Sequence, residues 1–158
     1  MNNKVSEYRA IMDENRMPVL RETSSYCCDN EKMYNAPDKI VAFVNEVFQM
    51  DSLCEESMYM LAFDNKHHLL GVFEVSHGIV NASFARGREI FMRLLLVGAA
   101  SFVLVHNHPS GDVTPSKEDI TVVKTITDLS KLMEITFDDN IIVGRNRYYS
   151  FREEGRMG

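Results

Sequence analysis

The chain has few cysteines for its length, and their arrangement does not indicate a disulfide framework. Only Cys27, Cys28 and Cys54 occur among 158 residues. The number is odd, the first two are adjacent and no Cys-x-x-Cys spacing is present, so a set of disulfides is not predicted. Metal binding by the adjacent pair is the less favoured interpretation, because such pairs are more often structural. A reducing, cytoplasmic setting is therefore expected.

The sequence also lacks an excess of basic residues and any long apolar run. Its 17 Lys and Arg are outnumbered by 23 Asp and Glu, for a formal net charge of −6, whereas a general nucleic-acid binder normally presents a basic face. The net charge does not exclude a local basic patch around Arg86, Arg88 and Arg93. The apolar stretches are far shorter than a membrane span, and the polar start of the chain lacks the apolar segment of a signal peptide. We expect a cytoplasmic protein with no membrane partner.

The remaining pattern is that of one α/β domain, since a hydrophobic fraction of 45% over 158 residues suits a single core. We predict residues 1–36 to be a polar N-terminal extension, with an amphipathic segment near Tyr8–Met12 and a strand around Met17–Tyr26, and residues 37–158 to be the domain. Periodicity then predicts, in order, helix 37–48, strands 58–63 and 69–75, helix 87–99, strand 101–105, helix 116–133 and strands 135–137, 140–143 and 148–151. This order predicts an α/β sandwich with a mixed sheet.

Three metal-ligand side chains lie close together after the buried strand 101–105. His106 and His108 are two apart in extended chain and point to the same side, so both imidazoles can contact one ion. Asp119 falls one turn into the next helix, and a tight loop through Pro109, Gly111 and Pro115 could bring it beside them. Two imidazoles and one carboxylate leave a fourth position open, which is typical of catalytic rather than structural zinc.

Simpler explanations account for part of this segment. Ser116-x-x-Asp119 is also a capping-box pattern for the following helix, and Thr114-Pro115 is a competing start with proline at the first helical position. Neither cap explains His-x-His before Pro-Ser-Gly. HNH nucleases disperse their three residues over a ββα unit, cupins are all-β barrels, and amidohydrolase barrels are far longer than this chain. All three fit poorly.

The spacing His106-x-His108, seven residues, Ser116, two residues, Asp119 resembles the JAMM signature of the JAB/MPN metallopeptidases. The fuller run 106–111, together with Arg88-Glu89-Ile90-Phe91 and the segment 139–144, is similar to the RadC branch over about residues 37–155. This resemblance implies a three-layer-like α/β architecture, in which helices flank a mixed sheet as in the cytidine-deaminase-like JAB/MPN fold. Arg86-Gly87 and Asn140 depart from the family's residues, but neither lies in the metal signature.

The resemblance also implies a general base, a glutamate just before the first strand of the core. Glu56, Glu74 and Glu89 compete for this role. Glu89 fits the first turn of a helix, where the dipole favours a carboxylate, and Glu74 lies within a strand. Glu56 precedes strand 58–63 and is the preferred base, with Glu55 second by a register error and Glu74 third.

The function implied is a zinc-dependent (Zn²⁺) metallopeptidase or isopeptidase in which Glu56 takes a proton from water activated by the metal. Ser116 is expected to donate a hydrogen bond to the oxyanion. Two alternatives remain: an accessory protein of DNA repair or of a mobile element, as short RadC-like proteins without a helix-hairpin-helix region are, and a non-catalytic scaffold. Intact ligands argue against the scaffold. The sequence does not indicate the oligomeric state.

Overall fold

In the computed structural model, which describes residues 3–28, 34–78 and 86–158, strands and helices alternate along most of the chain. The elements in chain order are β1 (Asn3–Met12), β2 (Pro18–Cys28), α1 (Pro37–Phe48), a short 3-10 turn (Met50–Ser52), β3 (Ser57–Phe63), β4 (Leu69–His77), α2 (Gly87–Val97), β5 (Ser101–Asn107), α3 (Lys117–Met133), β6 (Thr136–Gly144) and β7 (Arg147–Ser150).

The strands of the described residues form one mixed sheet in the order β2-β1-β4-β3-β5-β6-β7. The neighbours β1 and β4 are parallel, as are β5 and β6, and the other neighbouring pairs are antiparallel. The strand β5 is therefore an inner strand, with β3 on one side and β6 on the other. The predicted α/β sandwich with a mixed sheet is confirmed.

Helices cover both faces of the sheet because alternate residues of the central strands are apolar on both sides. In β5, Phe102 and Leu104 pack with α2 and α3 on one face, whereas Val103 and Val105 pack with α1 on the other. All four side chains are buried, so β5 has no solvent-exposed face. Its carboxyl end emerges between the two helical layers, which is where α/β proteins place ligands.

The first part of the chain extends the sheet. Strands β1 and β2 pair with each other along their whole length, and β1 adds to β4 through a parallel bridge between Glu7 and Val72. Val5 enters the core on the α1 face. The predicted boundary between an extension, 1–36, and a domain, 37–158, stays a prediction.

The predicted strands 135–137 and 140–143 are one strand, β6, with an irregularity. Phe102 pairs with Phe137, but the next residue, Val103, pairs with Asp139, so one residue of β6 is left out of the register. Such a bulge lets a polar interruption remain within a continuous strand. Separately, no helix in the described residues is long and apolar enough to cross a membrane.

Candidate metal centre

Two histidine side chains converge at the carboxyl end of β5. His106 is the penultimate residue of the strand and is 1% exposed, and His108 continues the pairing with β6 through a 2.9 Å hydrogen bond from its N–H to the carbonyl of Val143. Their Nε2 atoms lie 3.3 Å apart. The two-residue spacing therefore places both imidazoles on one side of the chain, as predicted for extended backbone.

The ring of His108 is held in one tautomer by the loop that follows it. Its Nδ1 lies 2.7 Å from the backbone carbonyl of Asp112, so Nδ1 carries the hydrogen and Nε2 keeps its lone pair for a metal. Gly111, at a φ of 79°, closes a turn onto His108 and brings that carbonyl back. A Cβ on Gly144 would come within 2.7 Å of the Gly111 carbonyl, so glycine at the end of β6 lets the loop lie this close.

Asp119 reaches the histidines from the start of α3. Its Oδ1 lies 3.1 Å from His106 Nε2, and its Oδ2 lies 3.4 Å from His108 Nε2. Ser116 is the N-cap of α3, and both its backbone N–H and its hydroxyl donate to Asp119 Oδ2 at 2.7 Å. In return, the Asp119 N–H donates to Ser116 Oγ at 3.1 Å. Oδ2 thus accepts both hydrogen bonds from Ser116 and lies near His108, while Oδ1 lies near His106.

The electrostatics of this group favour an ionised Asp119. Burial alone would raise the pKa of Asp119, but the close contacts with His106 and His108 and the hydrogen bond from the Ser116 hydroxyl hold that pKa well below its usual value. The hydrogen bond with Asp119 raises the pKa of His108 despite its partial burial, and the Asp112 carbonyl adds to that rise. The carboxylate therefore stays charged and able to bind a cation across the physiological pH range.

Glu56 is the upstream glutamate that the structure brings to this cluster. One donor atom from each of Glu56, His106, His108 and Asp119 forms a group whose atoms all lie within 4.8 Å of one another. Glu56 is half-buried, and burial raises its pKa, while the two histidines lower it and Asp119 raises it further.

The other candidate glutamates lie elsewhere. Glu55 Oε2 is 2.9 Å from His77 Nε2, and Glu74 Oε1 is 3.6 Å from His77 Nδ1. Glu89 lies in the first turn of α2, as predicted. Of these glutamates, Glu56 is the one that the described residues bring to His106, His108 and Asp119.

The arrangement fits a four-coordinate cation such as zinc. Metal–ligand distances of about 2.0–2.1 Å place neighbouring ligand atoms of a tetrahedron about 3.3–3.4 Å apart. The two histidine Nε2 atoms are 3.3 Å apart, and His106 Nε2 and Asp119 Oδ1 are 3.1 Å apart, both close to that separation. Without a cation, a single hydrogen on His106 Nε2 must serve two acceptors, His108 Nε2 and Asp119 Oδ1. A cation satisfies all three atoms at once, so the donor set could hold a metal ion.

Sequence reasoning did not find the residues that support these side chains. The Asp112 carbonyl fixes the His108 ring, yet a backbone acceptor leaves no signature in side-chain chemistry. Gly144 is needed because the loop packs against β6 at that point. The available signal was the pair of glycines, one in the loop and one ending the apolar run 141–143. The helix start was predicted as a choice between two caps, and Ser116 is the one that forms.

The chain is similar to known proteins over most of its length. The family model described as the RadC-like JAB domain matches residues 34–156. A UPF0758 protein of Desulfitobacterium hafniense is 37% identical over 152 residues, which are 96% of this chain and 64% of that protein. A UPF0758 protein of Clostridium botulinum is 37% identical over 139 residues, 88% of this chain and 60% of that protein. The chain thus spans less than two thirds of the length of these relatives.

Proposed function

Because this chain belongs to the family of RadC-like JAB domains, we propose that it is a zinc-dependent hydrolase that cleaves amide bonds. The observation that carries the proposal is the convergence of His106 Nε2, His108 Nε2 and the Asp119 carboxylate, at separations of 3.1 to 3.4 Å, beside the half-buried Glu56. Three protein ligands leave one position of such a site for the reactants.

The proposed chemistry divides between the metal and the chain. His106, His108 and Asp119 would hold the zinc, which would supply Lewis acidity towards an amide carbonyl and water. Glu56 accepts the proton on a carboxylate oxygen and later delivers it to the leaving nitrogen. Burial raises the pKa of Glu56, a shift in the direction that favours proton exchange near neutral pH.

Ser116 is proposed to stabilise the negative charge that develops on the carbonyl oxygen. Its hydroxyl has one hydrogen, which it donates to Asp119 Oδ2 in this structure. The oxyanion role therefore requires the hydroxyl to turn towards the substrate, while the Ser116 backbone N–H keeps its own 2.7 Å bond to Oδ2. A donor of this kind typically contributes about 2–4 kcal/mol to transition-state stabilisation.

Metal content tests the first part of the proposal. Wild type, His106→Ala and His68→Ala are purified without chelators, reconstituted with zinc and analysed by mass spectrometry. His68 lies in the β3–β4 turn with a 71% exposed side chain, outside the cluster, and is the matched control. We expect about one zinc per chain in wild type and His68→Ala, and loss of stoichiometric zinc in His106→Ala. A wild type that binds no zinc after reconstitution contradicts the proposal.

Turnover tests the second part. The zinc-loaded protein is screened against peptide and isopeptide substrates, the class proposed here, and the active substrate is used for two single variants. Glu56→Gln should lower kcat about 10²- to 10⁴-fold because glutamine cannot accept the proton. Glu55→Gln changes the adjacent carboxylate, which pairs with His77 instead, and should stay near wild type. Equal activity in the two variants would remove Glu56 as the base.

A further inference from the structure

A buried asparagine lies between the two histidines and spans the backbone on both sides of Glu56. Asn107 Oδ1 accepts a 2.8 Å hydrogen bond from the N–H of Ser57, and its Nδ2 donates a 3.1 Å hydrogen bond to the carbonyl of Glu55. Asn107 is 1% exposed. One side chain of β5 thus binds the residue before Glu56 and the residue after it.

The peptide of Glu56 itself is held from the opposite side. The Gly78 N–H donates a 2.8 Å hydrogen bond to the Glu56 carbonyl, and Ser57 Oγ lies 3.0 Å from His77 Nδ1. Regular pairing between β3 and β5 begins only at Met58, opposite His106. The Asn107 side chain therefore continues the attachment to β5 where the backbone ladder has not yet started, at the residues that flank Glu56.

The chemistry of this contact requires an amide at position 107. Ser57 presents a donor and Glu55 presents an acceptor, so the bridging side chain needs one acceptor and one donor side by side in a plane. Aspartate has two acceptors and would face the Glu55 carbonyl with an oxygen. A hydroxyl is a single atom and cannot span both groups. The hydrogen bond to the Ser57 N–H is buried, so leaving that N–H unpaired would be costly.

We infer that Asn107 is a positioning residue that fixes Glu56 relative to the metal ligands carried by the same strand. This inference rests on the proposed function, since it concerns the placement of the proposed base. His106 and His108 flank Asn107 in the chain, so one short segment provides two ligands and the attachment of the glutamate. Because displacement of a reacting group by about 1 Å can cost about 10²-fold in rate, this attachment matters for turnover more than for metal binding.

The test is a double-mutant cycle between Asn107→Leu and Glu56→Gln. Leucine has a similar branched shape and makes no hydrogen bond. The matched control is Asn140→Leu, another 1% exposed asparagine in the adjacent strand, whose side-chain atoms make no hydrogen bond within the described residues. Zinc affinity is measured by competition with a chromophoric chelator, the exchange of the Ser57 amide by ¹⁵N NMR, and kcat and KM on the substrate found by the screen.

We expect Asn107→Leu to lower kcat about 10²-fold with KM within about 3-fold, and to add nothing in the Glu56→Gln background. The Ser57 amide should exchange about tenfold faster, because its hydrogen bond is lost. Zinc binding should weaken no more than it does in Glu56→Gln. Asn140→Leu should leave all three readouts unchanged. If Asn107→Leu does not fold, Asn107→Asp replaces it: this variant keeps the Ser57 acceptor, so it should lower kcat while Ser57 stays protected.

Several results overturn the inference. If Asn107→Leu weakens zinc binding in the Glu56→Gln background, Asn107 supports the ligands and not Glu56. An unchanged Ser57 exchange rate in Asn107→Leu shows that the bridge does not hold the segment, as does faster Ser57 exchange without loss of kcat in Asn107→Asp. Additive effects on kcat show that Asn107 does not act through Glu56. A wild type that binds zinc but cleaves no amide contradicts the proposed function alone, since affinity and exchange still decide the inference. A wild type that binds no zinc overturns both.

Discussion

Replacing Ser116 with alanine removes a hydroxyl that takes part in two hydrogen bonds at the start of α3. The hydroxyl accepts the Asp119 N–H at 3.1 Å and donates to Asp119 Oδ2 at 2.7 Å. Loss of an N-cap side chain to alanine costs about 1 kcal/mol of stability, whereas glycine at the same position costs only a few tenths. For a chain of 158 residues, the alanine variant should melt about 2–4 °C lower, and Ser116→Gly should melt close to wild type.

Activity should not follow the same order. Both Ser116→Ala and Ser116→Gly lack the hydroxyl proposed to contact the oxyanion, so both should lower kcat about 10²- to 10³-fold. Stability and activity therefore separate: alanine loses both, and glycine loses activity alone. Thr121→Ala is the control, because Thr121 is exposed on the same helix and donates only to the Lys117 carbonyl. It should change stability by less than about 0.5 kcal/mol and leave kcat unchanged.

The assays are urea unfolding followed by circular dichroism on the metal-free chain, and initial rates on the zinc-loaded chain. Metal-free protein is used for unfolding so that zinc binding does not add to the measured stability. If kcat of both Ser116 variants stays within about 3-fold of wild type, far from the expected loss, the oxyanion role is refuted. If alanine and glycine lower the unfolding free energy equally, the capping argument is refuted instead.

Two other predictions concern residues that support the site and the core. In Gly144→Ala the new Cβ would meet the Gly111 carbonyl and Val113 Cγ1 at 2.7 Å, so the loop must move, and we expect a loss of about 1–3 kcal/mol in stability. Because that loop orients His108, zinc affinity measured by chelator competition should be at least about tenfold weaker. Burial raises the pKa of Asp139 above 3.8 in spite of hydrogen bonds from Ser150 and Arg152. The folded chain therefore binds the proton of the Asp139 carboxyl more tightly than the unfolded chain. The stability of wild type relative to Asp139→Asn should fall as pH rises from 3.8 through the folded pKa and then level off. A difference in urea unfolding free energy that does not change with pH would contradict this.

The local part of the metal centre could be predicted from the sequence because it depends on short-range geometry. Two residues apart in a strand point the same way, and this placed His106 beside His108. Asp119 followed from a helix start within reach of a tight loop. Both inferences need only the periods of strand and helix. The sequence pattern allows Asp119 to close a capping box and to bind a metal at the same time. Atomic positions were therefore needed to show that Oδ2 closes the capping box while Oδ1 lies near His106.

Glu56 is different, because no local rule connects it to His106. The link is the antiparallel register that places Met58 opposite His106, and pairing between distant strands is set by tertiary packing rather than by sequence period. The sequence predicted this contact only through the resemblance to a family. The position of β1 was not predicted for a related reason. It pairs with β4 in parallel at Glu7, and such a pair has no short connecting turn to be recognised in the sequence.

The interruption of β6 marks a third limit. Asp138 and Asp139 interrupt an apolar run and predict a break between strands 135–137 and 140–143. The strand continues because Asp139 is satisfied within the fold: it accepts hydrogen bonds from Ser150 Oγ at 2.5 Å and from the Arg152 N–H at 2.9 Å. A buried polar group with partners does not end a strand. Whether such partners exist depends on β7 and the turn after it, which lie too far along the chain for a periodicity argument.

Asp119 belongs both to the capping box that stabilises α3 and to the candidate metal site. Its Oδ2 closes the capping box that begins α3 and lies near His108, and its Oδ1 lies near His106. A cation at this site would neutralise charge on the same carboxylate and add a contact between the end of β5 and the start of α3. Binding to the folded chain alone stabilises it by an amount that grows with ligand concentration over the dissociation constant. Zinc should therefore raise the unfolding temperature of wild type, and the rise should vanish in His106→Ala, which keeps the capping box and loses one ligand.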